Sequence, residues 1–210
     1  HQHLVLDLTR GHGLEEDSHG LHLPRTNDTM KGTGRSAMSD GALEVILSRR
    51  SIRKYTDRAI EEGSLEQLLR AAMSAPSAHD QRPWEFVIID DRETLRAITL
   101  FHPYSRMLHK APVAIAVCGR TTGLQTPDFW PQDCAAATMN ILTAAKALGI
   151  GSVWLGIHPM ENLVKGVSSL LGLPGEITPF SIVSLGYPAE EKGPSERYDP
   201  ARVHRNRWRG

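Results

Sequence analysis

Residues Ala111 to Cys118 (APVAIAVC) form a near-continuous apolar run in the middle of the chain. A strand with one face in water alternates polar and apolar side chains, whereas a strand that is apolar throughout has to be covered on both faces. The chain is therefore expected to build one sheet with this strand inside it and other elements packed over it. The flanking sequence supplies them. Leu43, Ile46 and Leu47 share one face of a first helix, for which Ser39 and Asp40 are the expected caps. Ser64 with Gln67 has the spacing of a capping box, and Leu65, Leu68, Leu69 and Ala72 repeat at helical period until Pro76. Strands are predicted at Trp84–Ile89, Gly151–Leu155 and Thr178–Leu185, and helices at Arg92–Thr99, Tyr104–Lys110, Pro131–Leu148 and Met160–Leu171. Gly149 is placed to cap the longest helix, whose many alanines allow close approach of a neighbour. This pattern describes an α+β or mixed α/β domain around one sheet.

With 24 basic and 24 acidic residues, neither sign dominates, which argues against a bulk nucleic-acid binder or a polybasic membrane protein. The longest apolar stretches, Pro112–Cys118 and Ile182–Leu185, are far shorter than the roughly 20 residues of a membrane helix. Cys118 and Cys134 lie in apolar surroundings and form no C-x-x-C pair. They read as buried free thiols of a cytoplasmic protein, not as a disulfide or zinc site. Residues 1–37 differ from the rest: they hold five of the ten histidines, and Gly32, Gly34 and Ser36 form a linker-like run. They are expected to be a leader or extension, with residues 38–210 forming the domain. The histidine spacings are irregular, and no metal site is expected.

The chain has no P-loop and no nucleophile elbow, and Gly149-Ile150-Gly151 follows a helix where a dinucleotide fingerprint follows a strand. If the protein is an enzyme, a bound cofactor is expected to carry the chemistry. Three stretches point that way. Ser48-Arg49-Arg50-Ser51-Ile52-Arg53-Lys54-Tyr55 gathers cations and hydroxyls at a helix end, as a phosphorylated cofactor requires. Ala75–Trp84 stops a helix at Pro76 and leads through small polar residues into a strand. Leu148–Pro159 ends a strand at Gly156, where a flat ligand can approach the backbone closely. Singly, each has a bland alternative: a solvated basic turn, an ordinary connecting turn, a buried strand.

In this order and at these separations the three stretches resemble the nitroreductase family of FMN-dependent oxidoreductases, from about Gly41 to Trp208. Trp130-Pro131-Gln132-Asp133-Cys134-Ala135-Ala136 and Ser184-Leu185-Gly186-Tyr187-Pro188 support the likeness. The resemblance implies an α+β, nitroreductase-like FMN-binding fold, with a central mostly antiparallel sheet flanked by helices in an intertwined homodimer. FMN would sit at the interface, and NAD(P)H would be co-substrate. The pattern R-x-S-x-[RK] falls on Arg49, Ser51 and Arg53, with Arg50 beside them: Arg49 toward the phosphate, Ser51 donating a hydrogen bond, Arg53 near the pyrimidine edge. Pro76, Ser77, Ala78 and His79 match a segment contributed by the other subunit. His79 stands where Asn is commoner, and Arg82 separates Gln81 from Pro83. Leu155 and Gly156 match the strand end beside the isoalloxazine ring. Arg197, or alternatively Arg202, would close on the phosphate. No catalytic side chain is implied; hydride would pass from NAD(P)H through flavin N5 to a small nitroaromatic, quinone or similar acceptor, by a ping-pong route. Reductive dehalogenation, flavin cleavage or non-catalytic flavin binding on the same scaffold are the alternatives. His158, Tyr104 and Phe129 are candidates for the flavin face and acceptor pocket, and Trp154 is expected in the core.

Overall fold

The computed structural model describes residues 37–193 and 195–208, with the backbone alone for 37–40. The expected leader lies outside the described residues, except Ala37, which already belongs to the first helix. Four strands, β1 (Trp84–Ile89), β2 (Val113–Arg120), β3 (Gly151–Gly156) and β4 (Ile177–Gly186), form one sheet in the order β1-β2-β4-β3. Every neighbouring pair is antiparallel. The apolar run is the inner strand β2, displaced by two residues from its expected bounds because Gly119 and Arg120 continue the pairing with β1 and β4.

Alternate residues of β2 enter two different cores, as strand period dictates. Val113, Ile115 and Val117 pack with Leu68 of α2 (Glu62–Met73) and with Ala137 and Ile141 of α4 (Trp130–Ala147). Ala114, Ala116 and Cys118 face Leu95 and Ile98 of α3 (Arg92–Phe101) and Val167 of α5 (Glu161–Leu171). The sheet is thus covered on both sides by helices, an α+β arrangement. The expected helix at 104–110 is a single 3₁₀ turn, Arg106–His109. Arg92 ties it to α3 by donating to the carbonyls of Leu108, His109 and Ala111.

Two helix starts differ from the sequence reading. In α1 (Ala37–Ser48) the backbone is already helical at Ser39 and Asp40, which are therefore not caps; Ala37 and Met38 are good helix formers and extend it. The first residues of α2 precede Ser64, so the capping box does not form. Instead the Glu61 carbonyl accepts from the N–H groups of Ser64 (2.9 Å) and Leu65 (3.2 Å). The Glu61 carboxylate is engaged by the Tyr187 hydroxyl (2.6 Å) and by Arg58 (2.7 Å), which hold its pKa down at about 2. Tertiary partners here override a local propensity. The predicted stop of α4 holds: Gly149 adopts φ +71° directly after the helix, where a side chain would be strained.

Candidate functional site at the free edge of the sheet

The segment after α1 is not an isolated basic turn. Ser51 makes a parallel bridge to Ser152 of β3, and the Ile52 N–H donates to the Ser152 carbonyl at 2.9 Å. Arg49 to Arg53 are thereby laid along the outer edge of the sheet. Gly151 makes this possible, because a Cβ there would stand 2.8 Å from Ile52 Cγ2. From the other side, residues 187–193 run along the same segment. Thr56 N–H donates to Tyr187 O, Ala189 N–H to Lys54 O, and Lys192 Nζ to Ser51 O (2.6 Å). The Arg53 N–H donates to Glu190 Oε1 at 2.6 Å; with Lys192 nearby, this keeps the Glu190 carboxyl below its usual pKa.

Arg49, Arg50, Gly151, Ser152, Glu190 and Lys192 are among the walls of the resulting cleft, whose volume is about 400 Å³. Lys146, at the end of α4, completes it. A second groove of about 690 Å³ continues from Arg49 and Arg50 to Ser195, Arg197 and Tyr198. The cleft walls carry Arg49, Arg50, Lys146 and Lys192 against Glu190 and Glu191. Arg49 is pushed below its ordinary pKa by burial, by Arg197 and by Arg50. Arg50 donates through Nε to Gly193 O and through Nη1 to Leu47 O and Arg49 O, yet its buried Nη2 has no partner. Arg202, by contrast, is committed to Asp199 at 3.0 Å. Converging guanidinium groups with an unused buried donor fit a polyanionic group such as a phosphate.

The second expected stretch lies elsewhere. Its 3₁₀ turn, Ala78–Asp80, precedes β1 at the opposite edge of the sheet. His79, Asp80 and Arg82 all have positive φ, at 49°, 54° and 44°. The loop is anchored to the first turn of α4, where the buried Asp133 accepts from Ala78 N–H (2.9 Å) and Gln81 Nε2 (2.8 Å). Asp133 and Lys146 are thirteen residues apart on α4, or about 20 Å along its axis. Within one chain, then, the loop of Pro76 to His79 and the cleft of Arg49 and Arg50 lie at opposite ends of one helix.

Leu155 and Gly156 close β3 at the end away from the cleft. Leu155 is buried, whereas Gly156 is exposed, and a Cβ added there would touch nothing within 4 Å. The Gly156 carbonyl is fixed from behind by the buried His102, whose Nε2 lies 3.1 Å away. Just beyond, His158 is half-buried against Trp130 (4.8 Å, edge-on) and stacked over Phe180 (6.4 Å), and burial lowers its pKa. Trp154 also packs on Phe180, as a core residue should. Gly119 leaves room for Trp130: an added Cβ would be 2.9 Å from Cζ3 and closer still to Cε3. Tyr104 and Phe129 are exposed. Asp133, Lys146 and Lys192 escaped the sequence reading as site residues. The signal for Asp133 was a carboxylate on the face of α4 that also carries Trp130 and Ala137.

The sequence matches the Nitroreductase family over residues 46–102 and 99–187. The chain belongs to the nitroreductase family. It is 48% identical over 166 residues to a protein of Methanothermobacter thermautotrophicus that carries the provisional name NADH dehydrogenase/NAD(P)H nitroreductase, covering 79% of this chain and 87% of that one. A crystal structure from Parabacteroides distasonis, provisionally named in the same way, is 40% identical with a TM-score of 0.77, covering 80% of this nitroreductase-family chain and 98% of the other. An FMN-dependent nitroreductase from Clostridium difficile is 31% identical with a TM-score of 0.74, covering 79% and 99%. Among the described residues no group of side chains is arranged to hold a metal ion, and no helix is long and apolar enough to cross a membrane.

Proposed function

We propose that this nitroreductase-family protein is an FMN-dependent oxidoreductase that takes hydride from NAD(P)H and delivers reducing equivalents to a nitroaromatic, quinone or similar small acceptor. The observation that carries the reading is the convergence of Arg49, Arg50 and Arg197, with the unpartnered buried Nη2 of Arg50, at the start of β3, whose other end is the exposed Gly156. Bound FMN would supply the chemistry, accepting hydride at N5 and releasing reducing equivalents to the acceptor in a separate, ping-pong half-reaction.

The chain's own tasks are binding, orientation and exclusion of water. Arg49 and Arg197 would hold the phosphate, and Arg197 suits this better than Arg202, whose guanidinium is occupied by Asp199. Arg50 would use its free donor, and Ser51 and Arg53, set on the β3 edge by the Ser152 bridge, would face the pyrimidine side. Leu155 and Gly156 would back the ring, with the His102 contact keeping that strand end in place. Pro76, Ser77, Ala78 and His79 would come from a second subunit. Their anchorage at Asp133, about 20 Å along α4 from Lys146 of the cleft, supports a shared site, and so does the apolar face of Leu43, Ile46 and Leu47, more than half exposed in a single chain. Cys118 and Cys134, buried and unbridged, fit a cytoplasmic protein.

An absorbance spectrum of the protein with FMN, titrated anaerobically with NADH and with NADPH, tests the reading. Bleaching of a bound flavin band, restored by quinone or nitroarene, is the expected result. Protein that binds no FMN, or whose flavin stays oxidised under both nucleotides, would sink it.

A further inference from the structure

Asp133 lies outside the cationic cleft, yet its side chain is placed with unusual economy. It is 5% exposed, and each carboxylate oxygen has its own donor: Oδ1 takes Ala78 N–H and Oδ2 takes the Gln81 amide. Gln81 passes the contact on. Its Nε2 also donates to Thr126 O (3.1 Å), and its Oε1 accepts from Thr126 N–H (3.2 Å) and Oγ1 (3.1 Å). The two donors meeting Asp133 bracket the turn in which His79 and Asp80 hold left-handed φ, and the Ser77 hydroxyl accepts from Arg82 N–H across it (3.0 Å). Left-handed backbone at His, Asp and Arg is unfavourable and persists only where the surroundings over-determine it. Thr126 belongs to the segment 121–129, which leads directly into Trp130 and so to His158 and Phe180.

We propose that Asp133 is a positioning residue: through Ala78 and Gln81 it sets the Ser77–Arg82 loop and locks that loop to the 121–129 segment, so that the cofactor-edge loop and the acceptor-side segment move as one body. The consequence for FMN rests on the functional reading above; the clamp itself does not. Asp133 touches neither flavin nor substrate in this role.

The donor–acceptor pattern gives a test by exchange. In Asp133→Asn the new amide can serve only one of the two N–H groups and sets a donor against the other. In Gln81→Glu two carboxylates face each other. In the double variant, the amide introduced at position 133 can accept from Ala78 and donate to the carboxylate introduced at position 81, which still accepts from Thr126 N–H and Oγ1 but no longer donates to the Thr126 carbonyl. Two measurements are made on each purified protein: amide hydrogen exchange of segments 77–82 and 121–129 without FMN, and FMN affinity by flavin fluorescence. Each single variant is expected to exchange faster in both segments and to bind FMN about tenfold or more weakly, the scale of one unsatisfied buried donor. The double variant, which repairs the 133–81 contact but not the donation to Thr126 O, should recover part of both and exceed Gln81→Glu alone. A double variant no better than the worse single, unchanged exchange in the singles, or faster exchange with unaltered FMN affinity would each overturn the positioning role. Gln81→Ala, at a half-buried position that leaves Asp133 in place, is the second variant should Asp133→Asn fail to fold; it removes all three contacts to Thr126 and should speed exchange in 121–129 as well as in the 77–82 loop, and no effect in 121–129 would refute the coupling. Wild-type protein that binds no FMN while its singles still exchange faster would separate failure of the functional reading from failure of the clamp, and would withdraw the cofactor role of Asp133.

Discussion

Replacing Gly119 by alanine should destabilise the domain although it adds a single methyl group. Gly119 sits opposite Trp84 in the β1–β2 pairing, and the Trp130 ring lies across it. The new Cβ would stand 2.9 Å from Trp130 Cζ3, closer to Cε3, and 3.1 Å from Cys134 Sγ, all below ordinary van der Waals separation. The ring is flanked on the side away from Gly119 as well. His158 lies against it at 4.8 Å and Phe180 at 6.1 Å, and Trp130 begins α4, whose fourth residue is the anchored Asp133. Overpacking of a well-filled core costs about 1–3 kcal/mol, and the blocked escape places this case in the upper half. At about 2–4 °C per kcal/mol for a domain of this size, the midpoint of thermal unfolding should fall by about 4–12 °C. Differential scanning calorimetry at fixed protein and FMN concentration measures it. Gly175→Ala is the internal control, because its added Cβ meets nothing within 4 Å and its φ is not positive; it should melt within about 2 °C of wild type. A Gly119→Ala protein that melts with wild type would show that the Trp130 ring is not wedged between β2 and His158.

Three further outcomes are expected. Arg49→Ala and Arg197→Ala should each weaken FMN about tenfold or more while leaving riboflavin binding nearly unchanged, and Arg202→Ala should stay within about twofold, as fluorescence titration will report; equal losses for FMN and riboflavin would contradict a phosphate role. Ala136→Arg, on the half-buried flank of α4, should elute as a monomer and lose FMN together with the dimer; a monomer with full flavin would rule out a shared site, and an intact dimer would show that the interface uses another face. Tyr55, 8% exposed, donating to Ile52 O and hydrogen-bonded to the Ser184 hydroxyl, is pushed up to about 12, chiefly by burial. Its unfolded pKa is near 10, so the stability it lends is whole below pH 10 and is lost as pH rises toward 12, by about 3 kcal/mol at most. Urea unfolding of Tyr55→Phe should therefore decline less steeply from pH 10 to 12; the loss that begins near pH 9 belongs to the buried Cys118 and Cys134 thiols, also shifted upward, and should persist.

Much of the fold was legible where a residue's fate depends on its neighbours in sequence. The 111–118 run announced a strand covered on both faces, and the helical repeats of Leu65, Leu68 and Ala72 and of α4 located the cover. What sequence could not reveal are the long-range choices. The strand order β1-β2-β4-β3 depends on pairings between residues some seventy positions apart, such as Val113 with Leu185. Docking of Ser51 on Ser152 turns a basic stretch into one wall of a cleft, and nothing within eight residues of Ser51 encodes that. The left-handed His79, Asp80 and Arg82 were hidden for a related reason: His and Asp tolerate such backbone without demanding it, Arg does not favour it, and a carboxylate fifty-five residues from Ala78 stabilises the turn that holds it. The cationic residues were visible as types, whereas the ion pair with Asp199 that sets Arg202 apart from Arg197 was not.

Because α4 is one uninterrupted helix with Asp133 near its start and Lys146 near its end, it acts as a gauge with a fixed phase as well as a fixed length. Each residue advances the axis by about 1.5 Å and turns it by about 100°. One residue inserted midway, after Asn140, would change the spacing of the two ends trivially but would swing Asp133 more than a quarter turn away from Ala78 and Gln81 if Lys146 kept its place. Length variation in this scaffold is thereby steered into its loops, and the helix between the two ends admits substitution far more readily than insertion.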